Sequence, residues 1–138
     1  MLLDTHVWIW LVADAPRRLG PRTRRQLARA SGARAATVST ASVFEIAALQ
    51  TAGRLRLTQP VERWIRESID RAGFRVVGID RDIAVDAGLI PASALPDPLD
   101  RCLVATARDH DMPLVTRDRA ILEYAARTGL VRVVDASA

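Results

Sequence analysis

The chain has 138 residues, 49% of them hydrophobic and 26% charged; this balance excludes intrinsic disorder and suffices for one globular core, read as a single domain over residues 1–138. Its formal net charge is +4, and all 20 basic residues are Arg. A basic chain of this kind suits a polyanionic partner.

Met1–Leu3 is a short apolar run and reads as a first strand, leading directly into a helix through Val7, Trp10 and Leu11. Pro21–Ala30 reads as a basic helix that ends near Gly32, and Ala36–Ser39 as a second strand. Ser42 can N-cap a helix over Val43–Gln50. Thr58-Gln59-Pro60 opens an amphipathic helix to Gly73, with Val61, Trp64, Ile65 and Ile69 on one face. Phe74–Ile79 is a third strand, followed by a short helix around Ile83–Leu89. Asp97-Pro98 starts a helix carrying Leu99, Leu103 and Ala107 at core spacing. Pro113–Val115, Arg119–Arg127 and Val131–Val134 read as strand, helix and strand. Short apolar runs alternating with amphipathic stretches predict a three-layer α/β domain, with a central, mostly parallel sheet of about five strands flanked by helices.

The single cysteine, Cys102, cannot form an internal disulfide and lies in an apolar helical pattern, so it reads as a packing residue in a reducing compartment. Val7–Ala13 is apolar and Ala13-Asp14-Ala15 imitates a signal-peptidase site, but Asp4 stands where a basic n-region would be needed. The run is too short to span a bilayer. The expectation is a cytoplasmic protein without membrane association.

Charge is uneven along the chain. Residues 1–61 hold nine Arg against three acids, and 62–138 hold eleven Arg against thirteen acids. Arg17, Arg18, Arg22, Arg24, Arg25, Arg29 and Arg34 share one acid-free stretch. The stretch is either a phosphate-gripping patch or a solvated helix face.

Four acids stand out by position. In open α/β sheets ligands bind beyond the carboxyl ends of the strands. Asp4 ends the first strand, Asp118 follows the fourth, and Asp100 sits in the first turn of a helix that should emerge at the same rim. Glu45 is the only charged residue from Ala35 to Gly53. A lone carboxylate in a helix apolar nearly all round is costly to bury without a partner, so it should face a polar cleft. Each acid also has a simpler explanation. Asp4 and Asp118 could N-cap the helices that follow them, Asp97 and Asp100 have capping-box spacing, and Glu45 could be partly exposed. Capping, however, accounts for neither Glu45 nor the shared rim.

Two carboxylates about 4 Å apart repel by on the order of 4 kcal/mol at an effective dielectric near 20. A converging set therefore calls for protons or a divalent cation, and oxygen-only donors suit Mg²⁺ or Mn²⁺. Zinc has little support from two histidines and no Cys pair. His6 reads as a first-turn residue near the site rather than a ligand. There is no Gly-rich phosphate loop, and no Ser/His/Asp arrangement is evident.

Leu2-Leu3-Asp4-Thr5-His6, Ser42-Val43-Phe44-Glu45-Ile46-Ala47, Leu95-Pro96-Asp97-Pro98-Leu99-Asp100-Arg101 and Leu114-Val115-Thr116-Arg117-Asp118 resemble, in order and spacing, the four acidic motifs of PIN-domain proteins. Within that family the likeness is to VapC toxins of type II toxin–antitoxin systems, and it covers essentially the whole chain. The resemblance implies a PIN fold, Mg²⁺- or Mn²⁺-dependent endoribonuclease activity on an RNA substrate, inhibition by a VapB-type antitoxin, and a homodimer. It places Asp4, Glu45, Asp100 and Asp118 at the catalytic, metal-holding positions. Asp97 matches an additional acid, and Thr5 and Thr116 match hydroxyls flanking the site. Arg17, Arg18, Arg22, Arg24, Arg25 and Arg29 are the candidate RNA contacts. Asp97 belongs to an Asp-Pro-x-Asp-Arg subgroup that often has His two residues before the Asp-Pro; Leu95 stands there instead, which puts in doubt any substrate contact made by that His. Trp8 and Trp64, on helices beside polar neighbours, are candidates for a protein-contact surface or for the core. A catalytically silent RNA- or protein-binding PIN domain and a DNA nuclease of the same fold are the competing readings.

Overall fold

The computed structural model describes residues 1–13, 15–30 and 36–138. Asp14, Gly32 and Arg34, which entered the sequence reading, lie outside the described residues.

Five short strands form one sheet: β1 (Leu2–Leu3), β2 (Thr37–Ser39), β3 (Arg75–Val77), β4 (Leu114–Thr116) and β5 (Val133–Asp135). Their order is β3-β2-β1-β4-β5 and every pairing is parallel. Among the described residues seven α-helices make the connections: α1 (Thr5–Val12), α2 (Pro21–Ala28), α3 (Thr40–Thr51), α4 (Val61–Ala72), α5 (Arg81–Leu89), α6 (Pro98–Asp109) and α7 (Arg119–Thr128). A 3-10 turn at Pro16–Arg18 precedes α2.

Successive strand residues point to opposite faces, and the core follows that alternation. Leu3 and Val115 join Val7, Trp8, Val38, Ile46 and Trp64 on one face. Leu2 and Leu114 join Leu103, Val104, Ile121 and Tyr124 on the other. Apolar packing on both faces of an all-parallel sheet makes the expected three layers. Cys102 packs at the edge of a third small cluster with Ile83, Ala87 and Ala105, in keeping with a packing role.

Several element boundaries have clear local causes. Gly73 and Gly129 adopt φ of 66° and 65°, the left-handed geometry that ends α4 and α7. Phe74 N donates back to Ile69 O at 3.1 Å, so Phe74 closes the turn after α4 and the third strand begins only at Arg75. The cap of α3 differs from expectation. Ser39, the last extended residue of β2, accepts from Ala41 N at 3.0 Å, and the chain enters the helix at once. Ser42 is instead fully buried within the helix. Leu99 also departs from its expected core position and is only partly buried, whereas Leu103 and Ala107 are each 1% exposed.

Trp8 and Trp64 are core residues, 0% and 7% exposed. Their rings lie 6.0 Å apart, Phe74 meets Trp8 edge-on, and Trp8 Nε1 donates to Ser68 Oγ at 3.1 Å. Ser68 thus supplies the acceptor that lets an indole N–H be buried. Among the described residues, no helix is long and apolar enough to cross a membrane.

Candidate active site

Strand order reverses its direction of growth at β1, which has β2 on one side and β4 on the other. This switch point is where a parallel α/β sheet opens a crevice at its carboxyl rim. Asp4 leaves β1 and Asp118 follows β4, so both acids stand over that crevice. Asp97 and Asp100 arrive on the first turn of α6, and Glu45 on α3. All five line one cleft of about 260 Å³, together with His6, Trp10 and Arg117.

Asp118 does cap α7, accepting from Ile121 N at 3.1 Å, and Asp97 caps α6, accepting from Leu99 N at 2.8 Å. Asp4 occupies the N-cap position of α1 but makes no side-chain cap bond. Its Oδ2 instead accepts from Thr116 Oγ1 at 2.6 Å, and Thr116 Oγ1 accepts from Asp118 N at 2.9 Å. One buried hydroxyl therefore ties the β1 acid to the β4 acid. Asp100 forms no cap bond back to Asp97.

On the α3 side, Thr5 Oγ1 donates to Glu45 Oε2 at 3.2 Å and lies 2.8 Å from Ser42 Oγ. The two threonines expected beside the site thus each hold one carboxylate. Ser42 is a third hydroxyl behind them that the motif reading passed over. Its place three residues before Glu45, on the same helix face, was the available signal.

The electrostatics reflect burial first and the neighbouring acids second. Asp4 is 6% exposed, and burial raises its carboxyl above the ordinary range against the opposing Thr116 bond. Burial likewise raises Glu45, opposed by Thr5 and reinforced by the charge of Asp4. Asp100 is pushed up to about 8, first by burial and then by the charges of Asp97, Asp118, Asp4 and Glu45. Each of these acids is easier to protonate than a free carboxylate, because burial disfavours the charged form more than the neighbouring hydroxyls and His6 favour it.

The donor set, carboxylate oxygens without Cys, fits a hard divalent cation. Among the described residues no group of three or more His, Cys, Asp or Glu side chains is already arranged to hold a metal ion. His6 is exposed and its ring lies 5.9 Å from that of Trp10.

The six arginines proposed to contact RNA line two hollows. Arg17, Arg18 and Arg24 line a hollow of about 410 Å³ whose wall includes Arg117. Arg22, Arg25 and Arg29 line a different hollow with Met1, at the amino end of β1. Arg117 and Trp10, which the sequence reading did not select, lie at the cleft itself.

The family profile described as PIN domain matches residues 1–127. The chain belongs to the PIN-domain family. Among curated proteins this PIN domain is 36% identical over 124 residues to "Ribonuclease VapC22" of Mycobacterium tuberculosis, covering 90% of this chain and 91% of that one. Solved structures share its fold. VapBC-1 from nontypeable Haemophilus influenzae matches with a TM-score of 0.68 at 15% identity, covering 99% of this chain and 98% of that one. DNA-bound VapBC from Salmonella typhimurium matches with a TM-score of 0.65 at 19% identity, covering 97% and 96%.

Proposed function

We propose that this PIN domain is a divalent-metal-dependent endoribonuclease and the toxin of a toxin–antitoxin pair. The observation that carries the reading is the convergence of Asp4, Glu45, Asp100 and Asp118 on one cleft at the switch point. The buried carboxylate of Asp4 is held by Thr116 rather than spent on a helix cap. The ribonuclease name of the 36%-identical relative supports RNA over DNA as substrate. Neighbours solved as toxin–antitoxin complexes support a VapB-type protein partner.

Asp4, Glu45 and Asp100 would hold Mg²⁺ or Mn²⁺, with Asp118 completing the set. Such an ion supplies Lewis acidity toward water and a phosphate oxygen. The protein's own part is positional. Thr116 fixes the rotamer of Asp4, Thr5 fixes that of Glu45, and capping fixes Asp118, so that three of the four carboxylates are oriented before substrate arrives. The net change is hydrolysis of one phosphodiester, with water adding to phosphorus and an RNA oxygen leaving.

A homodimer would be mediated by the apolar side chains that remain exposed, among them Phe44 on α3 and Leu89 on α5, which are 65% and 74% exposed. The deciding experiment is Asp4→Asn assayed on single-stranded RNA with Mg²⁺ or Mn²⁺. Cleavage should be lost while the circular dichroism spectrum is unchanged. Full activity in that variant would overturn the assignment, and a wild-type protein that binds RNA without cutting it would favour the silent domain.

A further inference from the structure

Arg117 stands in a position where simple electrostatics predicts an ion pair. It lines the cleft with Asp4, Asp100 and Asp118. Yet it takes part in none of the ion pairs formed among the described residues. Two contacts hold it out of the cluster. Its Nη1 donates to Arg18 O at 2.8 Å, and its guanidinium carbon lies 5.6 Å from the centre of the Trp10 ring. The guanidinium of Arg18 lies 5.8 Å from the same ring. Two cations therefore share one aromatic ring at the rim, and both are exposed to solvent.

The backbone keeps this arrangement in place. Gly20 N donates to Ala136 O at 2.8 Å and Thr23 N to Ala138 O at 3.1 Å, which ties the start of α2 to the segment after β5. The hollow lined by Arg17, Arg18 and Arg24 meets the acid cleft at Arg117, the residue common to both. A cleft that would cut a phosphodiester thus opens into a basic hollow through an Arg–Trp–Arg cluster.

We propose that Arg18, Trp10 and Arg117 form the element that holds single-stranded RNA beside the cleft; this rests on the ribonuclease reading above. The guanidinia take phosphates of the strand entering or leaving the acids. The partly exposed indole offers a face on which an unpaired base stacks. Guanidinium suits this role because its planar fork binds phosphate through two donors and also stacks on aromatic rings. In an RNA duplex the base faces are hidden, so a platform of this kind selects unpaired strands. Arg22, Arg25 and Arg29, at the other end of β1, have no part in it.

The test measures binding separately from cleavage, by fluorescence anisotropy of a labelled single-stranded RNA in the Asp4→Asn background. Arg117→Ala and Arg18→Ala should each weaken binding by about tenfold and lower the slope of log K against log salt by about 0.7, the contribution of one single-strand phosphate contact. Trp10→Leu should weaken binding by about tenfold and abolish the RNA-induced change in indole fluorescence, since Trp8 and Trp64 are buried. Trp10→Phe, which keeps an aromatic face, should recover most of the affinity and guards against a Leu variant that fails to fold. Arg25→Ala and Arg29→Ala should leave affinity and slope unchanged, and the same RNA annealed to its complement should bind more weakly. If wild-type protein cuts RNA but the Arg117 and Trp10 variants bind it normally, the clamp is wrong and the ribonuclease reading survives. If wild-type protein neither binds nor cuts RNA, both fall.

Discussion

Replacing Asp100 by Asn removes a carboxyl that burial and four neighbouring acids push up to about 8. In the unfolded chain the same group titrates near its ordinary value of 3.8. Between those two values the folded protein keeps a proton that the unfolded chain has released. Without a divalent cation, stability should therefore fall as pH rises through this window and level off above it. Each pH unit of the window costs at most about 1.4 kcal/mol. Because Asp100 is partly open to solvent, screening should reduce the total to on the order of 2 kcal/mol. The assay is urea unfolding in EDTA at pH 5 and pH 8, followed by tryptophan fluorescence. Wild type should lose stability between the two conditions, and Asp100→Asn should lose distinctly less, keeping only the contribution of Asp4 and Glu45. Saturating Mg²⁺ or Mn²⁺ should restore wild type at pH 8 by about 2.7 kcal/mol at a hundred times its Kd, and restore the variant much less. A wild-type stability that is flat from pH 5 to pH 8 in EDTA would refute the reasoning, because burial and the neighbouring acids would then not be holding a proton on Asp100.

Three further outcomes follow from single contacts. Thr116→Val removes the donor to Asp4 and the acceptor for Asp118 N; cleavage should fall about tenfold or more, with a stability loss of about 1–2 kcal/mol by urea unfolding. Ser68→Ala strands the buried Trp8 Nε1 and should cost about 1–3 kcal/mol, with RNA cleavage at low temperature unaffected. Gly20→Ala would drive a methyl group into the carbonyl of Ala138; it should lower the melting temperature and loosen the segment after β5, measured as faster amide exchange at Ala136 and Ala138.

Much of the chain was legible because its signals are local. Leu2-Leu3 before Asp4, the left-handed glycines after α4 and α7, and the Asp97 and Asp118 caps all act within four residues of themselves. Strand, helix and turn chemistry over that range depends little on the rest of the molecule. Glu45 was legible for a different reason. A single carboxylate in an apolar helix has to face something polar, and it does face a cleft.

What the sequence left open was decided by contacts between distant segments. Capping and cleft-lining are equally consistent with an Asp after a strand. Only Thr116, 112 residues away from Asp4, separates them by taking that carboxylate for itself while Asp118 keeps its cap. Trp8 stands between Val7 and Ile9 and Trp64 between Arg63 and Ile65, and their burial depends on which face of the sheet α1 and α4 cover. The arginines from Arg17 to Arg29 look like one patch in sequence, and the tie from Gly20 and Thr23 to Ala136 and Ala138 sets Arg17, Arg18 and Arg24 against Arg117 while Arg22, Arg25 and Arg29 lie with Met1. Local chemistry therefore determined the elements and their acids. The parallel order β3-β2-β1-β4-β5 determined which acids and which cations meet, because convergence across the chain is a property of topology and not of any short stretch of residues.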